Sequence, residues 1–381
     1  MSHARGDETP VKAAACVPPE LARPSARVVL VNWKNAPLTL RAARSVAVQL
    51  APGDRLVLVD NGSADGSLAA MRAEVPGLLA LVGTRSPRGG AAQHGQIEVV
   101  DARENGGFGA GVMAGAQAMT EDALVLLNND ATARDGFLDA LLAPLSDPDV
   151  GATTALLLLA GRYRPALAGD GEALVGPGGQ RWVRLSEAEA DTGEGIVLVN
   201  STGNVVDASG NGQDRDWLTP ASHLSASPDV FGVCGGACAI RRDAWEAVGG
   251  IRTDLFMYYE DTDLSYKLRE AGYRVRFASR AIADHEHAAS SDAHSPMFMR
   301  VNARNRLIVA AEHAPWGVLA RALVRSLGRA ASAGFSGPAA RGIAQGLAAL
   351  PGALRRRSAA HASCASENAH SSKARRGRER E

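Results

Sequence analysis

Apolar and polar positions along this 381-residue chain follow two periods in turn. Residues 28–31 form a β-branched apolar run ended by Asn32 and Trp33; after Pro37, Leu40, Ala43, Val46, Ala47 and Leu50 recur at helical spacing. Residues 55–59 repeat the strand pattern, stop at the polar sequence DNGSADGS (residues 60–67), and lead into a second helix from Leu68. Such a β-α-β-α start predicts a parallel sheet in which Asn32 and Asp60 end neighbouring strands. Residues 84–94 read as a Gly/Pro-rich loop and 97–100 as a short strand, before ENGGFGAG (residues 104–111) enters a helix over 111–120. The next run, ALVLLNND (residues 123–130), is a buried strand that stops in two amides and a carboxylate. Open α/β sheets bind ligands at that edge.

Beyond residue 160 the pattern weakens into hairpins and loops as far as residue 230. Residues 231–240, FGVCGGACAI, read as an apolar strand whose paired glycines allow close approach. A short helix over 242–248 is broken by Gly249 and Gly250. An aromatic run then enters EDTDL (residues 260–264), and its helix ends near Gly272 in the manner of a C-terminal glycine cap. A strand at 275–278 precedes Asp284-His285-Glu286-His287. From Pro315 the texture changes: Trp316, Leu319, Leu323 and Leu327 predict one helix face, and Arg321, Arg325 and Arg329 the opposite one. That cationic amphipathic pattern suits an anionic membrane surface or a packing helix.

Composition narrows the partners. Lys+Arg and Asp+Glu number 41 each, so nothing in the balance favours nucleic acid. The four cysteines make no disulfide framework, which suits a reducing, cytoplasmic setting; Cys234 and Cys238 read as small core residues. The N-terminus lacks the apolar core of a signal peptide, and no run reaches the roughly 18 apolar residues of a membrane span. The expected organisation is a disordered segment over 1–26, an ordered α/β domain over 27–313, an amphipathic helical extension over 314–357 and a disordered basic tail over 358–381. The same helical extension also suits a dimer contact in a homo-oligomer.

The polar strand ends suggest chemistry. Asp130 can hold a divalent cation against a diphosphate, although Asn129 and Asp130 could equally cap a helix. A carboxylate of the acidic helix start can act as general base on a hydroxyl, although acids there also suit the helix dipole. His285 or His287 can complete a metal shell as a neutral imidazole. Glycines over 104–111 allow close approach of a phosphate to a helix N-terminus.

Taken in order, VVLVNW, LVLVDNGSADGS, ENGGFGAG, LLNNDA, FGVCGGACAIRRDAW, FMYYEDTDLSYKLREAGYRV and ARNRL resemble the family 2 glycosyltransferases, in particular the rhamnosyl- and galactofuranosyltransferase-like branch, over residues 27–313. The resemblance implies a GT-A fold, an α/β architecture with a Rossmann-like, mostly parallel sheet flanked by helices. A nucleotide-sugar half (27–131) would face an acceptor half (132–313), the latter with an insertion near 160–230. It implies transfer, with inversion, of a hexosyl or deoxyhexosyl group from a UDP- or dTDP-sugar to a hydroxyl of a cell-surface glycan or lipid-linked acceptor, assisted by Mg²⁺ or Mn²⁺. Carried over by position, Asp261 is the catalytic base, with Glu260 beside it. Asn32, Asp60, Asn61, Asn105, Gly107, Phe108, Asn129, Arg304 and Asn305 bind the donor; Gly235, Gly236 and Tyr259 bind the acceptor; Asp130 and His285, with His287 second, hold the metal. Peripheral attachment to the inner face of the cytoplasmic membrane through residues 315–357 fits that reading. Asn128 departs from the family's first metal-motif carboxylate, Trp33 replaces a usual tyrosine, and Val112-Met113 stand where the branch often has two asparagines. Two rivals remain: residues 109–114 fit the dinucleotide fingerprint G-x-G-x-x-A, as in an NAD-dependent oxidoreductase, and a non-catalytic nucleotide-sugar binding protein would share most of the motifs.

Overall fold

The computed structural model describes residues 23–82, 84, 96–225, 227–286 and 295–378, with side chains described as far as residue 359. The expected disordered stretch up to residue 22, most of the expected loop around 84–94, and His287 lie outside the described residues.

Strands and helices alternate at first: β1 (Ala26–Asn32), α1 (Ala36–Ala47), β2 (Arg55–Asp60), α2 (Ser67–Leu81), β3 (Gln96–Asp101), α3 (Phe108–Gly115) and β4 (Ala123–Leu127). A short β5 (Ala131–Ala133), α4 (Phe137–Leu142) and the long β6 (Val150–Leu159) precede an insertion of small elements. These are β7 (Tyr163–Pro165), β8 (Leu174–Val175), β9 (Arg181–Arg184), α5 (Glu187–Asp191), β10 (Val199–Ser201), β11 (Asn204–Val206), β12 (Gly212–Asp214) and β13 (Asp229–Val230). The remainder is β14 (Ala237–Arg241), α6 (Arg242–Ala247), α7 (Glu260–Glu270), β15 (Arg274–His285), α8 (Pro296–His313), α9 (Trp316–Ser332) and α10 (Gly337–Arg378).

The main sheet has the order β13-β15-β6-β14-β4-β1-β2-β3, with β10 on β6 and β5 on β15. β3, β2, β1 and β4 are mutually parallel, and their register sets Asn32, Asp60 and Asp101 side by side. β4 is buried throughout because helices cover both faces, which is why its sequence is continuously apolar. β14 runs antiparallel between β4 and β6, and β15 returns parallel to β6 so that His285 lies opposite Ala131 of β5. That pairing carries a distant histidine to the end of β4.

The expected strand over 231–240 divides, since only Ala237–Arg241 joins β4, and Gly235 turns its N–H to a side chain instead of a ladder. Residues 23–26, expected to be disordered, are held by the Arg23 guanidinium, which pairs with Asp54 (2.6 Å) and Asp139 (2.5 Å). α10 continues past residue 358 to Arg378, so the expected disordered tail is helical as far as it is described. Gly109, Gly111 and Gly115 lie within α3, where a Cβ would strike the Arg252 carbonyl, Val31 and Val29. These glycines serve helix packing, and residues 102–107 separate them from β3, unlike the strand-to-helix turn of a dinucleotide fold.

Ahead of α7, Phe256, Tyr258 and Tyr259 all hold left-handed φ angles (67°, 66° and 72°). Non-glycine residues there cost about 1–3 kcal/mol each and persist only where neighbours over-determine them. Asn305 of α8 does so: fully buried, it shares its two N–H groups among the carbonyls of Leu255 (3.0 Å), Met257 (2.8 Å) and Tyr258 (2.7 Å). Arg304 supports it, bonding the Asn305 Oδ1 (2.8 Å) and the Leu255 carbonyl (2.6 Å).

A buried ion network ties α7 to α8. Asp263 meets His313 (3.0 Å), Lys267 (3.0 Å) and Arg252 (3.3 Å), and Arg252 also reaches Glu312 (2.6 Å). Against the opposing effect of burial, hydrogen bonds and charge from Asp263 and Glu270 push His313 up to about 9; His313, Lys267 and Arg252 bring Asp263 down to about 2. Asp263, Glu312 and His313 are close enough to share a metal ion. Arg252 and Lys267 already supply the positive charge there.

α9 and α10 cover α8, with Leu319, Ala322, Ser326 and Ala330 of α9 buried. The apolar face read from the sequence therefore splits: Leu319 packs inward, while Trp316 (63 % exposed) and Leu327 (47 %) face outward together with Val324 (70 %) and, just beyond the helix, Phe335 (72 %). Arg321, Arg325 and Arg329 flank this exposed stripe. Among the described residues no helix is long and apolar enough to cross a membrane.

The His313 contribution to stability is complete below its ordinary value of 6.5 and is lost as pH rises through about 9. Chemical denaturation of wild type should show that alkaline loss, and His313→Gln should flatten it. Asn305→Ala should lower unfolding stability by about 2–4 kcal/mol by leaving buried carbonyls unpaired, again measured by denaturant titration.

Candidate active site

At the carboxyl ends of β1 and β2, buried side chains form a polar lattice. Asn32 Nδ2 donates to Asp60 Oδ1 (2.9 Å) and to Ser63 Oγ (3.0 Å), Ser63 Oγ donates to Asp60 Oδ1 (2.6 Å), and Thr39 Oγ1 donates to Asn32 Oδ1 (2.7 Å). Asn129 Nδ2 extends the lattice from β4 by donating to Thr39 Oγ1 (3.2 Å). Asn61 Nδ2 reaches Asn105 Oδ1 (3.1 Å) and the Gly107 carbonyl (3.0 Å), while its own Oδ1 is buried without a hydrogen-bond partner. An unmet acceptor there suits a ligand N–H or O–H.

The glycine segment behaves differently from the phosphate cradle expected of it. Gly107 has φ +88° and leaves no room for a Cβ because the Phe256 carbonyl presses on it; the same carbonyl accepts the N–H of Phe108 (2.8 Å). The first N–H of α3 is therefore already taken, and the segment's work is to seat the strained turn before α7.

Asp130 and His285 meet. His285 Nε2 lies 2.9 Å from Asp130 Oδ1 and 3.2 Å from Asn128 Nδ2, and its Nδ1 lies 2.6 Å from Asn200 Oδ1. An amide oxygen only accepts, so Nδ1 carries the proton and Nε2 of a neutral ring presents a lone pair to a carboxylate oxygen. That contact needs positive charge between the two atoms, from a second ring proton or a cation. A separation of about 3 Å is also what two adjacent ligands of an octahedral ion with bonds of about 2.1 Å would show. The residues thus fit a divalent cation, with Asn200 orienting the histidine in the manner of outer ligands at metal sites. Asn128, in place of a carboxylate, contributes an amide beside this pair.

Asp261 stands in the first turn of α7. Its carboxylate accepts from Gly235 N (3.2 Å) and Thr262 N (2.6 Å), and a Cβ on Gly235 would crowd the Asp261 Cβ at 3.3 Å. Burial nevertheless raises its pKa, and burial together with the charge of Asp261 raises that of Glu260, whose Oε2 is buried without a hydrogen-bond partner. The hydrogen-bonded Asp261 is the better anion of the two, a carboxylate of increased basicity suited to accept a proton.

The placement of several predicted residues departs from direct ligand contact. Gly235 supports Asp261, and the Gly236 carbonyl accepts from Asn128 N (2.8 Å), tying β14 to the end of β4. The Tyr259 hydroxyl accepts from Gly212 N (3.2 Å) in the core, and Arg304 and Asn305 hold the 255–259 turn instead of facing a diphosphate. Asn200 is the residue that motif reading missed; only the return of β10 along β6 places it beside His285. A cavity of about 190 Å³ bordered by Ser25, Asp54 and Glu121 lies at the opposite edge of the sheet, away from this chemistry.

This arrangement has relatives. The chain is 30% identical over 194 residues to the pre-mycofactocin glycosyltransferase of Mycobacterium tuberculosis, a match covering 51% of this chain and 33% of that protein. The chain thus spans a third of the length of that relative. It is 24% identical over 313 residues to the N-acetylglucosaminyl-diphospho-decaprenol L-rhamnosyltransferase of the same organism, covering 76% of this chain and 85% of that protein. Among solved structures it superposes on GalNAc-T7 with UDP, GalNAc and Mn²⁺ with a TM-score of 0.52 at 17% identity, over 76% of this chain and 48% of that one, which shows the GT-A fold. Residues 24–308 match the family described as "Glycosyltransferase like family 2", and the chain belongs to that family.

Proposed function

We propose that the protein transfers a hexosyl or deoxyhexosyl group, with inversion, from a UDP- or dTDP-sugar to a hydroxyl of a cell-surface glycan or lipid-linked acceptor. The observation that carries this reading is Asp261: a recessed carboxylate held by Gly235 and Thr262 at the same end of the sheet as the Asp130–His285 pair. Asp261 takes the proton from the acceptor hydroxyl as its oxygen bonds to the anomeric carbon, and the carbon–oxygen bond to the diphosphate breaks on the opposite face. Asn32, Asp60 and Asn61 bind the nucleoside side, with the unmet Asn61 oxygen as one contact. Asp130 and His285 would hold Mg²⁺ or Mn²⁺, which when bound supplies the positive charge that stabilises the departing diphosphate. Residues 27–131 form the donor half and 132–313 the acceptor half. A lipid-linked acceptor is in keeping with the name of the rhamnosyltransferase relative. A non-catalytic binding protein would have no use for a proton acceptor at Asp261.

The exposed stripe of α9 supplies the membrane contact in this reading. Trp316, Val324, Leu327 and Phe335 would enter the interface while Arg321, Arg325 and Arg329 meet anionic headgroups. A cavity of about 480 Å³ between this helix and residues 207–209 opens beside the same arginines.

Calorimetric titration of UDP and dTDP, with and without Mn²⁺, should show one nucleotide binding in a metal-dependent manner, and Asp130→Ala should lose that dependence. Asp261→Asn should cut transfer by about 10²–10⁴-fold while still binding the nucleotide; wild-type-like transfer would remove the base assignment. For the membrane contact, Val324→Asp with Leu327→Asp should reduce flotation on phosphatidylglycerol-containing liposomes, and unchanged flotation counts against it.

A further inference from the structure

Asp214 has no part in the motifs or in the chemistry above, yet the fold delivers it to the same cleft. It lies on β12 opposite Asn204 of β11. Two bonds clamp this hairpin onto α7 and the turn before it: Asn204 Nδ2 donates to Thr262 Oγ1 (3.1 Å), and Gly212 N donates to the Tyr259 hydroxyl (3.2 Å). So held, the Asp214 carboxylate stands near Ser201 and Cys234 and within electrostatic reach of both Asp261 and His285. Burial first, and then the charge of Asp261, push its carboxyl up to about 6.

A recessed carboxylate is costly unless it is paired or well hydrogen-bonded. Among the described residues no Lys or Arg pairs with Asp214; the adjacent Arg215 turns to Thr202 (2.8 Å) and to Asp216 (3.9 Å). The Asp214 carboxylate offers roughly four acceptor positions. Asp214 is partly exposed as a residue, with its carboxylate recessed. The donor-side lattice of Asn32, Asp60 and Asn61 belongs to the ends of β1 and β2, whereas Asp214 belongs to a hairpin fastened to the element that carries the base. A group beside the base, on the base's own support, faces the molecule whose hydroxyl the base deprotonates.

We propose that Asp214 is an acceptor-binding residue whose carboxylate accepts a hydrogen bond from a sugar hydroxyl of the acceptor near the hydroxyl that attacks. The inference rests on the transfer reading. Asp261 and Asp214 then read two hydroxyls of one ring, and an acceptor lacking the second leaves a recessed carboxylate short of a donor. Sites built to bond a hydroxyl reject analogues without it far more strongly than apolar pockets discriminate by size. The two bonds to Thr262 and Tyr259 hold the hairpin that carries Asp214, so the hairpin contributes to acceptor choice.

The test uses the full chain, UDP- and dTDP-hexoses as donors, and p-nitrophenyl pyranosides with their monodeoxy derivatives as acceptors. Asp214→Asn should raise acceptor KM by about ten- to hundredfold, the size expected for a hydrogen bond to a charged group. One deoxy position that penalises wild type should cost this variant nothing further, and calorimetric nucleotide affinity with Mn²⁺ should stay within about twofold on the scale of that loss. Asp214→Ser carries the same expectation if the amide variant melts early. An unchanged acceptor KM, or weakened metal-dependent nucleotide binding, overturns the assignment; the latter would put Asp214 on the donor side. If wild type transfers no sugar from any donor to any pyranoside, the transfer reading itself falls, and the inference falls with it.

Discussion

The two amide protons of Asn305 hold the arrangement on which the cleft depends. Three non-glycine residues in left-handed conformation would not remain so in a free loop, and the buried amide of α8 gives their carbonyls the partners that the turn itself lacks. From that turn the contacts radiate. The Phe256 carbonyl seats on Gly107 and caps α3, the Tyr259 hydroxyl receives β12, and the chain emerges as the first turn of α7 with Asp261 against Gly235. The 104–111 segment, the β11–β12 hairpin and Asp261 are thus referred to one rigid point.

Electrostatics then separates residues of the same type. Asp261 and Asp263 are two positions apart on α7 and both are recessed, but they point to different surroundings. Asp263 faces Arg252, Lys267 and His313, which keep it ionised and make it part of the bond between α7 and α8. Asp261 faces Glu260 and Asp214 with backbone N–H groups as its support, and burial increases its basicity. The helix turns one carboxylate toward cations and the other toward the backbone N–H groups of Gly235 and Thr262. On the far side of α8, α9 divides in the same way: one stripe packs, and the stripe beside the arginines stays in solvent.

Much of this was legible in the residues. Continuous apolar runs ending abruptly in Asn32, Asp60 and Asp130 forecast parallel strands with a polar edge, since a strand buried on both faces is mostly apolar until its end. Gly272 marked the end of α7 because the left-handed φ of +87° after a helix favours glycine. The sequence of motifs sufficed for the family. The glycines of residues 104–111 were misleading, because glycine permits close approach without saying to what; here the neighbours are the Phe256 and Arg252 carbonyls and Val31.

What the sequence by itself determined was local: periodicity, strand ends, helix stops and the presence of carboxylates and histidines at those stops. Tertiary structure alone decided which of them meet. β15 brings His285 to Asp130 across 155 residues, β10 brings Asn200 to His285 across 85, and the β11–β12 hairpin brings Asp214 toward Asp261. Those encounters depend on strand order and on the register of antiparallel pairs, where a one-residue slip would send each side chain to the other face. No pattern within a single segment encodes that choice, because the energy that selects it comes from packing one segment against another.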